Sequence, residues 1–328
     1  MNILVTGANG QLGTALRGVV QASGCVAVSG RVAFAEDSAS GRAVPGAGDR
    51  WIFTDITQAP GVETVYLDVT DATAVRIVCR SEKIDVIVNC AGYTDVDKAE
   101  EDHATADLLN HRAVAGLAEA ACASGAFLIH ISTDYVFRGD RPIPYAEDAA
   151  ADPTGVYGAT KLAGERAILA SGCRHMILRT AWMYSPWGRN FVRTMLQQMR
   201  TRPSVQVVCD QIGTPTYAPD LAELIAGIIA GRTLDDCTGI YHYSGEGAVS
   251  WYDFAMAIRE LVGLTACDVR PCRTSEYPTK ARRPAYSVLD KAKVRRTFGC
   301  RIPYWRDSLT RCLRELEASA ASPDEPKA

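Results

Sequence analysis

Three glycines at the junction of a strand pattern and a helix pattern constrain the fold more than any other feature. Gly7, Gly10 and Gly13 follow the apolar run of residues 3–5 and overlap the helical pattern that begins at Gln11. Glycines at such spacing allow a tight turn, a close approach of backbone to a pyrophosphate and close packing of the helix on the strand. The segment is interpreted as a dinucleotide-binding loop; an ordinary strand-to-helix connection is the alternative.

Short β-branched runs then alternate with helical patterns through the first half of the chain. Strands are predicted at residues 51–53, 84–89, 127–132 and 176–179, and helices at residues 11–23, 104–123 and 158–170. This alternation is typical of a parallel sheet covered by helices on both faces. The predicted fold class is therefore α/β, with a Rossmann-type doubly wound parallel sheet over residues 1–185 that also carries the catalytic residues.

The strict alternation fades in the second half. Separate helical patterns with Pro- and Arg-containing connections predict a smaller C-terminal α/β lobe over residues 186–317, mainly for substrate binding. Residues 29–49 show no clear periodicity and are predicted to be a surface insertion. Residues 318–328 are polar and contain proline, which predicts a flexible tail.

Composition and charge argue against several classes of function. A formal net charge of -3 gives no electrostatic reason to expect a nucleic-acid partner. The eleven cysteines are an odd number without a CxxC pair or metal-ligand spacing, which predicts reduced thiols and no metal site. No apolar run is long enough to cross a bilayer, and no leader pattern precedes the first strand. We therefore expect a cytoplasmic protein without a membrane partner.

A tyrosine and a lysine four residues apart form a candidate catalytic pair. Tyr157 and Lys161 would share one helix face, and the lysine charge would favour the phenolate and so lower the pKa of the phenol. Tyr157 could then protonate a carbonyl oxygen while hydride reaches the carbon, with Lys161 also holding the nicotinamide ribose. A surface Tyr and Lys on an amphipathic helix is the alternative interpretation.

Two hydroxyl residues directly follow an apolar strand pattern. Ser132 and Thr133 come after the run from Phe127 to Ile131. Since ligands of parallel sheets bind at the carboxyl ends of strands, one of these hydroxyls is placed to bond a substrate carbonyl beside Tyr157. We predict that Thr133 has this role, with Ser132 as the alternative; the other hydroxyl would make a turn hydrogen bond.

Longer segments resemble one family along nearly the whole chain. They are the glycine loop, NCAGYTDVDKAE from Asn89, STDYVF from Ser132, VYGATKLAGE from Val156, LRTAWMYS from Leu178, DQIGTPT from Asp210 and YPTKARRP from Tyr277. Together they resemble the dTDP-4-dehydrorhamnose reductases, a family of extended short-chain dehydrogenase/reductases. The resemblance implies NAD(P)H-dependent reduction of the 4-keto group of a nucleotide-sugar, dTDP-4-dehydro-L-rhamnose, to dTDP-L-rhamnose, with Thr133, Tyr157 and Lys161 catalytic.

The resemblance also implies which residues contact cofactor and substrate. The implied cofactor contacts are Gly7, Asn9, Gly10, Gln11, Leu12, Gly13, Asp68, Val69, Ala91 and Tyr93. On the nucleotide-sugar side it implies Tyr135, Trp182 and the pair Arg282 and Arg283. Trp182 would be an aromatic wall, or alternatively a core residue. The arginines could clamp the diphosphate, although one of them is equally compatible with a plain surface position. Asp68, judged alone, is a turn or capping residue as readily as a cofactor contact.

The choice of nicotinamide rests on two opposed signals. Asp55 follows the predicted second strand, where an acid can bond the ribose 2′-hydroxyl and favours NADH. Arg31, Arg42 and Arg50 lie in or beside the insertion, and any of them could pair with a 2′-phosphate. The resemblance favours NADPH. We predict that NADPH is preferred and that NADH is also accepted.

Two further expectations concern assembly and competing functions. Certain relatives dimerise through a divalent ion held partly by an acid of the first helix. Here residues 13–16 offer no acid, so we expect a monomer or homodimer without a bridging metal. One rival function is another nucleotide-sugar reductase or epimerase, against which DQIGTPT and YPTKARRP argue. The second is a non-catalytic dinucleotide-binding regulatory subunit of the methionine adenosyltransferase type, against which Tyr157 and Lys161 argue.

Overall fold

The computed structural model describes residues 1–22, 49–232 and 234–321. Its strands are β1 Asn2–Thr6, β2 Arg50–Asp55, β3 Val65–Tyr66, β4 Val86–Asn89, β5 Phe127–Thr133, β6 His175–Thr180, β7 Met183–Tyr184, β8 Ser204–Val208, β9 Ile212–Gly213, β10 Thr216–Tyr217, β11 Gly239–His242, β12 Val249–Ser250 and β13 Asp268–Cys272. The central sheet has the order β3-β2-β1-β4-β5-β6-β11, with every pair parallel. From β3 to β6 this is the Rossmann order, so the predicted doubly wound sheet is confirmed.

Helices cover both faces of this sheet. They are α1 Gln11–Ala22, α2 Ala72–Ser81, α3 Val96–Ala99, α4 His103–Asp107, α5 Ala113–Ser124, α6 Val156–Ser171, α7 Phe191–Thr201, α8 Ala218–Ala230, α9 Trp251–Val262, α10 Ala292–Phe298 and α11 Trp305–Ala321, with a π-helical turn at Leu108–Arg112 between α4 and α5. None of the described helices is both long and apolar enough to span a membrane.

The two faces of the sheet are buried because successive strand residues point in opposite directions. Ile3 and Val5 of β1 pack in a core shared with α1 and α8, whereas Leu4 packs in a second core shared with α2 and α5. All three side chains are fully buried. The sheet is thus held in the middle of a three-layer arrangement, and the side chains that end its strands lie together at its carboxyl edge.

A third apolar core lies in the smaller part of the molecule. Helices α7, α9 and α11 pack with the two-stranded sheet of β8 and β13 around Val205, Phe254 and Leu309. However, α8 packs on α1, and β11 pairs with β6, although both come after residue 185. The two parts are therefore interleaved in sequence, and their division into cofactor and substrate functions stays a prediction.

Two of the predicted segments fall largely outside the described residues. Of the predicted insertion at 29–49, only Asp49 is described, and its side chain accepts a hydrogen bond from the amino group of Met1 at 2.6 Å. Helix α11 continues to Ala321, so residues 318–321 of the predicted tail are helical. Residues 322–328 are not among those described.

Candidate active site

Two glycines of the first loop are required by close packing. Gly7 has φ +63, and a Cβ on it would lie 2.6 Å from the backbone nitrogen of Ala91 in the loop after β4. A Cβ on Gly13 would lie 2.5 Å from Cα of Ala8. Because neither contact leaves room for a side chain, these glycines let α1 and the β4 loop pack against the end of β1.

The N-terminus of α1 offers donors to an anion. The first hydrogen bond at this end of the helix runs from the N–H of Thr14 to the carbonyl of Gly10 at 2.9 Å. The N–H groups of residues 11–13 thus precede the helical hydrogen-bond ladder, and Gly10 is exposed above them. Such a helix start favours a negative group such as a pyrophosphate. The loop fits the dinucleotide that its sequence predicts.

Asp55 ends β2 beside the glycine loop, where the sequence places it. Its Oδ2 accepts from the N–H of Asn9 at 3.1 Å, and its Oδ1 accepts from the N–H and Oγ1 of Thr57 at 3.0 and 2.9 Å. Nδ2 of Asn9 in turn donates to the carbonyl of Thr57 at 2.7 Å. These bonds fix the carboxylate at the edge where a ribose would follow the pyrophosphate.

Arg50 lies far from this edge. It begins β2, five residues before Asp55, which corresponds to about 16 Å along an extended strand. Its guanidinium forms an ion pair of 2.5 Å with Glu82 at the amino end of the sheet. The expectation that Arg50 could reach a 2′-phosphate is therefore wrong. Arg31 and Arg42 lie outside the described residues.

The side chain of Gln11 is turned to the smaller part of the molecule. Its Oε1 accepts from Oγ of Ser185 at 2.9 Å and from Nδ2 of Asn190 at 3.0 Å. A cofactor contact by Gln11 is thus left to its backbone N–H at the helix start. The side chain itself joins the glycine loop to the segment between β7 and α7.

Three other predicted cofactor residues have structural roles for their side chains. Leu12 and Val69 are buried in the two cores of the main sheet, so only their backbone is available to a ligand. Oδ1 of Asp68 accepts from the N–H and the hydroxyl of Thr70 at 2.9 and 2.7 Å. The turn role that the sequence left open for Asp68 is present, and its contact with a cofactor stays a prediction.

Tyr93 is held in place by Asn110. Oδ1 of Asn110 accepts from the N–H of Tyr93 at 2.9 Å, and its Nδ2 donates to the carbonyl of Tyr93 at 3.0 Å. Asn110 projects from the π-helical turn, a feature that is common at functional sites. The buried hydroxyl of Tyr93 has no hydrogen-bond partner among the described residues. Because buried polar groups are normally paired, this hydroxyl is suited to bond a ligand.

The structure distinguishes the two hydroxyls at the end of β5. Oγ of Ser132 donates to Oε1 of Glu165 at 2.5 Å, within a buried ion pair of Glu165 and Arg179. Thr133 points to the opposite face, where its Oγ1 donates to Asp134 at 3.1 Å and neighbours the phenol of Tyr157. Of the two, Thr133 is therefore the hydroxyl that the fold brings to Tyr157.

The pKa of Tyr157 differs from the sequence expectation. Burial raises the pKa of the phenol above its ordinary value; the hydroxyl of Thr133 lowers it, and the negative charge of Asp134 adds to the rise. The predicted lowering by Lys161 is not found. A raised pKa keeps the phenol protonated at neutral pH, which is the state that a proton donor needs.

Lys161 is buried and directed to the backbone of β5. Its Nζ donates to the carbonyl of Ile131 at 2.5 Å and lies 3.5 Å from Nε2 of His130. Burial lowers the pKa of Lys161 to about 8, against the opposing effects of Glu165 and Cys90. Because burial weakens the ammonium form and the ammonium is bonded elsewhere, its charge does little to stabilise a phenolate.

Tyr135 and Arg283 adjoin Tyr157 on the other side. The rings of Tyr135 and Tyr157 meet edge to face with centroids 5.6 Å apart. The half-buried guanidinium of Arg283 donates to the hydroxyl of Tyr135 at 3.2 Å and to Oδ2 of Asp97 at 2.5 Å. Arg282 is exposed. Of the two arginines, only Arg283 is thus bonded within this cluster.

Trp182 stacks between the two parts of the molecule. Its indole lies parallel to that of Trp251 with centroids 3.5 Å apart, and a Cβ on Gly213 would lie 2.5 Å from its ring. The residue is half-buried and has φ +46, a left-handed conformation that side chains rarely adopt. Trp182 therefore packs as a core residue does, which was the alternative interpretation of the sequence. Its contact with substrate stays a prediction.

Three buried groups of the site were missed in the sequence. Asp134 lies beside Thr133, His130 lies beside Lys161, and Glu165 lies behind Ser132. The one sequence feature that could have indicated these three residues is a polar residue inside or next to an apolar segment. Within the described residues, the cysteines are free thiols and no three His, Cys, Asp or Glu side chains are grouped as metal ligands.

The chain has a Rossmann sheet with a glycine loop after β1. Near the end of β5 it brings together Thr133, Tyr157 and Lys161. This combination defines the extended short-chain dehydrogenase/reductase class. A family model described as the RmlD substrate binding domain matches residues 1–318. The chain belongs to this family, that of the dTDP-4-dehydrorhamnose reductases, and it is an oxidoreductase.

Individual relatives agree with this membership. The dTDP-4-dehydrorhamnose reductase of Burkholderia thailandensis is 38% identical over 328 residues, which cover 96% of this chain and 99% of the relative. The crystal structure of a dTDP-4-dehydrorhamnose reductase from Clostridium acetobutylicum is similar with a TM-score of 0.81 and 36% identity, covering 97% of this chain and 100% of that one. The Bacillus anthracis enzyme, solved in complex with NADP, has a TM-score of 0.79 and 33% identity, covering 96% and 99%.

Proposed function

We propose that the protein reduces the 4-keto group of dTDP-4-dehydro-L-rhamnose to dTDP-L-rhamnose, with Tyr157 as the proton donor. The observation that carries this proposal is the cluster of Thr133, Tyr157 and Lys161 near the end of β5, in a chain that matches the reductase family over residues 1–318. A sheet edge with these groups presents a hydroxyl, a phenol and an ammonium to one small region.

The catalytic side chains divide the reaction between them. The bound nicotinamide supplies the hydride that adds to the carbonyl carbon. Tyr157 gives its phenolic proton to the carbonyl oxygen, so that C=O becomes CH–OH and a phenolate remains. Thr133 donates a hydrogen bond to the same oxygen as charge develops on it. Lys161, in its ammonium form, would donate to the hydroxyls of the nicotinamide ribose and so hold the cofactor beside Tyr157.

We further propose NADPH as the preferred cofactor, with NADH also accepted. The B. anthracis relative was solved with NADP, which supports the first choice. Asp55 at the end of β2 would bond a ribose 2′-hydroxyl, which supports the use of NADH. A partly exposed carboxylate opposes a 2′-phosphate by only about 1 kcal/mol, which is less than a tenfold difference in affinity. Either cofactor is thus compatible with the site.

The substrate would lie on the side of Tyr157 where Tyr135 and Arg283 meet. The guanidinium of Arg283 already bonds one hydroxyl and one carboxylate, and a diphosphate could replace Asp97 as its partner. Arg282, being exposed, would contact only a part of the nucleotide that projects from the site. Trp182 would border the sugar at the junction of the two parts of the molecule.

The decisive experiment follows NADPH absorbance with dTDP-4-dehydro-L-rhamnose as substrate. Tyr157→Phe should lower kcat by about 100-fold or more while NADPH still binds, because only the transferred proton is lost. Tyr66→Phe, at an exposed edge position, is the matched control and should be as active as the unaltered protein. A folded protein that binds NADPH without reducing this substrate would exclude the proposal and support the regulatory-subunit alternative.

A further inference from the structure

His130 is a fully buried polar side chain between two apolar residues of a largely buried strand. It belongs to β5, between Ile129 and Ile131, and none of its surface is exposed. Its Nδ1 lies 3.0 Å from Nδ2 of Asn89, and its Nε2 lies 3.5 Å from Nζ of Lys161. The ring therefore bridges the end of β4 and the lysine of the site.

The orientation of the Asn89 amide is fixed by its other neighbours. Its Oδ1 lies 3.2 Å from the backbone N–H of Ala91 and 2.7 Å from Oγ1 of Thr6. A backbone N–H can only donate, so the atom facing it must be the carbonyl oxygen. The NH₂ group of Asn89 consequently points to His130 and donates to its Nδ1.

This donor determines the tautomer of the imidazole. Burial, and secondarily the charge of Lys161, lowers the pKa of His130 well below its ordinary value, so the ring is neutral. A neutral imidazole has one N–H and one bare nitrogen. Since Nδ1 accepts from Asn89, the proton is on Nε2, the atom that faces Lys161.

We propose that His130 is a positioning residue for Lys161: held by Asn89 as the Nε2–H tautomer, it presents a donor instead of an acceptor to the lysine nitrogen, and so directs the lysine's own protons to Ile131 and to the active site. In the opposite tautomer, the ring would accept one of these protons and draw the ammonium into the core. The Nε2–H dipole also disfavours the ammonium form.

The other groups that face Lys161 agree with this role. Glu165 approaches from α6, Cys90 from the end of β4, and the carbonyl of Ile131 from β5. Burial raises the pKa of the Cys90 thiol to about 12, so this group is uncharged. Glu165 is already bonded to Arg179. The carbonyl of Ile131 is thus the acceptor that the core offers to the lysine. On this proposal, the remaining N–H bonds of the lysine are directed to the ribose.

The test is the pH dependence of NADPH binding, which rests on the proposed ribose contact of Lys161. Affinity should fall above about pH 8 as the ammonium loses its proton. His130→Gln replaces the Nε2–H donor by an amide that can turn its oxygen to the lysine. The midpoint of this fall should then move upward by about one pH unit, as measured by NADPH fluorescence titration between pH 6 and 10.

A second buried histidine provides the matched control. His175 begins β6, and its Nδ1 donates to the carbonyl of Cys173 at 2.8 Å. His175→Gln should leave the midpoint unchanged. Should His130→Gln fail to fold, His130→Asn also removes the Nε2–H group, admits water as an acceptor and should shift the midpoint in the same direction.

The outcomes separate this inference from the proposed function. An unshifted midpoint in a folded His130 variant, or an equal shift in His175→Gln, would overturn the role of His130. Absence of turnover by the unaltered protein would overturn the proposed reaction instead. Turnover together with an upward shift confined to the His130 variants would support both.

Discussion

Asp134 is a buried carboxyl group at the site, with 1% of its surface exposed. Burial raises its pKa from 3.8 to about 6, although hydrogen bonds with Ser287 and Thr133 oppose this rise. Its folded-state pKa thus exceeds its unfolded value, so the folded protein holds a proton that the unfolded chain releases. Stability from this group is complete below about pH 4 and is lost as the pH rises to about 6.

Replacing Asp134 tests this dependence. Asp134→Asn should leave a neutral side chain at all pH values and so avoid the cost of burying a charge. The free energy of unfolding of the variant, relative to the unaltered protein, should increase by up to about 3 kcal/mol between pH 4 and pH 7. Denaturant unfolding at both pH values measures it. Asp148→Asn, at an exposed position, should show no such change.

The same residues show what sequence patterns reveal at this scale. The alternation of a strand predicts that Ser132 and Thr133 point to opposite faces, but not which face holds Tyr157. That choice depends on Glu165 and Arg179, which come from other elements. The direction of the pKa shift of Tyr157 was wrong for a related reason: sequence spacing shows a nearby charge and does not show burial.

At the scale of elements, Glu165 joins α6 to two strands behind the catalytic residues. Nε and Nη2 of Arg179 from β6 donate to its two oxygens at 2.9 and 2.7 Å, and Ser132 from β5 donates at 2.5 Å. The Arg179 and Glu165 side chains are 4% and 1% exposed. The pair therefore sets the position of α6, and with it that of Lys161, relative to β5.

Removing one charge of this pair should be costly. Glu165→Gln leaves Arg179 buried without a counter-charge, which should lower the free energy of unfolding by about 3–5 kcal/mol. The control is Asp268→Asn in the exposed pair with Arg270, which should change stability little because solvent screens that interaction. Urea unfolding of both variants makes the comparison. A loss for Glu165→Gln no larger than for the control would contradict the assigned role.

The sequence predicted whether a segment forms a helix or a strand, but it did not predict which strand β11 pairs with. Hydrophobic periodicity predicted a helix at residues 158–170 and a strand at 127–132, close to the observed α6 and β5. The placement of β11 beside β6 had no counterpart in the sequence, because periodicity indicates that a strand is buried but not which strand it pairs with. The π-helical turn around Asn110 was also missed, since one extra residue in a helix barely changes its apolar pattern.

At the scale of the whole molecule, the two parts of the chain meet at the glycine loop. Gln11 accepts hydrogen bonds from Ser185 and Asn190, and Asn190 also caps α7 by accepting from the N–H of Arg193 at 3.2 Å. The same loop carries the helix start that would hold the pyrophosphate. The side chain of Gln11 thus connects the glycine loop to the start of α7, and we expect it to help hold the loop in one conformation.

Gln11→Ala should break this link. The variant loses two partly buried hydrogen bonds, so its free energy of unfolding should fall by about 1–3 kcal/mol. NADPH affinity should also fall, because part of the binding energy is then used to order the glycine loop. The rise in Tm on adding NADPH should be smaller than in the unaltered protein.

Gln211→Ala is the matched control: it removes one hydrogen bond of 3.1 Å to Thr274 within the smaller part, and should lower stability without changing NADPH affinity. Thermal unfolding with and without NADPH, together with fluorescence titration, measures both effects. Equal NADPH affinities for the two variants would show that Gln11 stabilises the fold without ordering the cofactor loop.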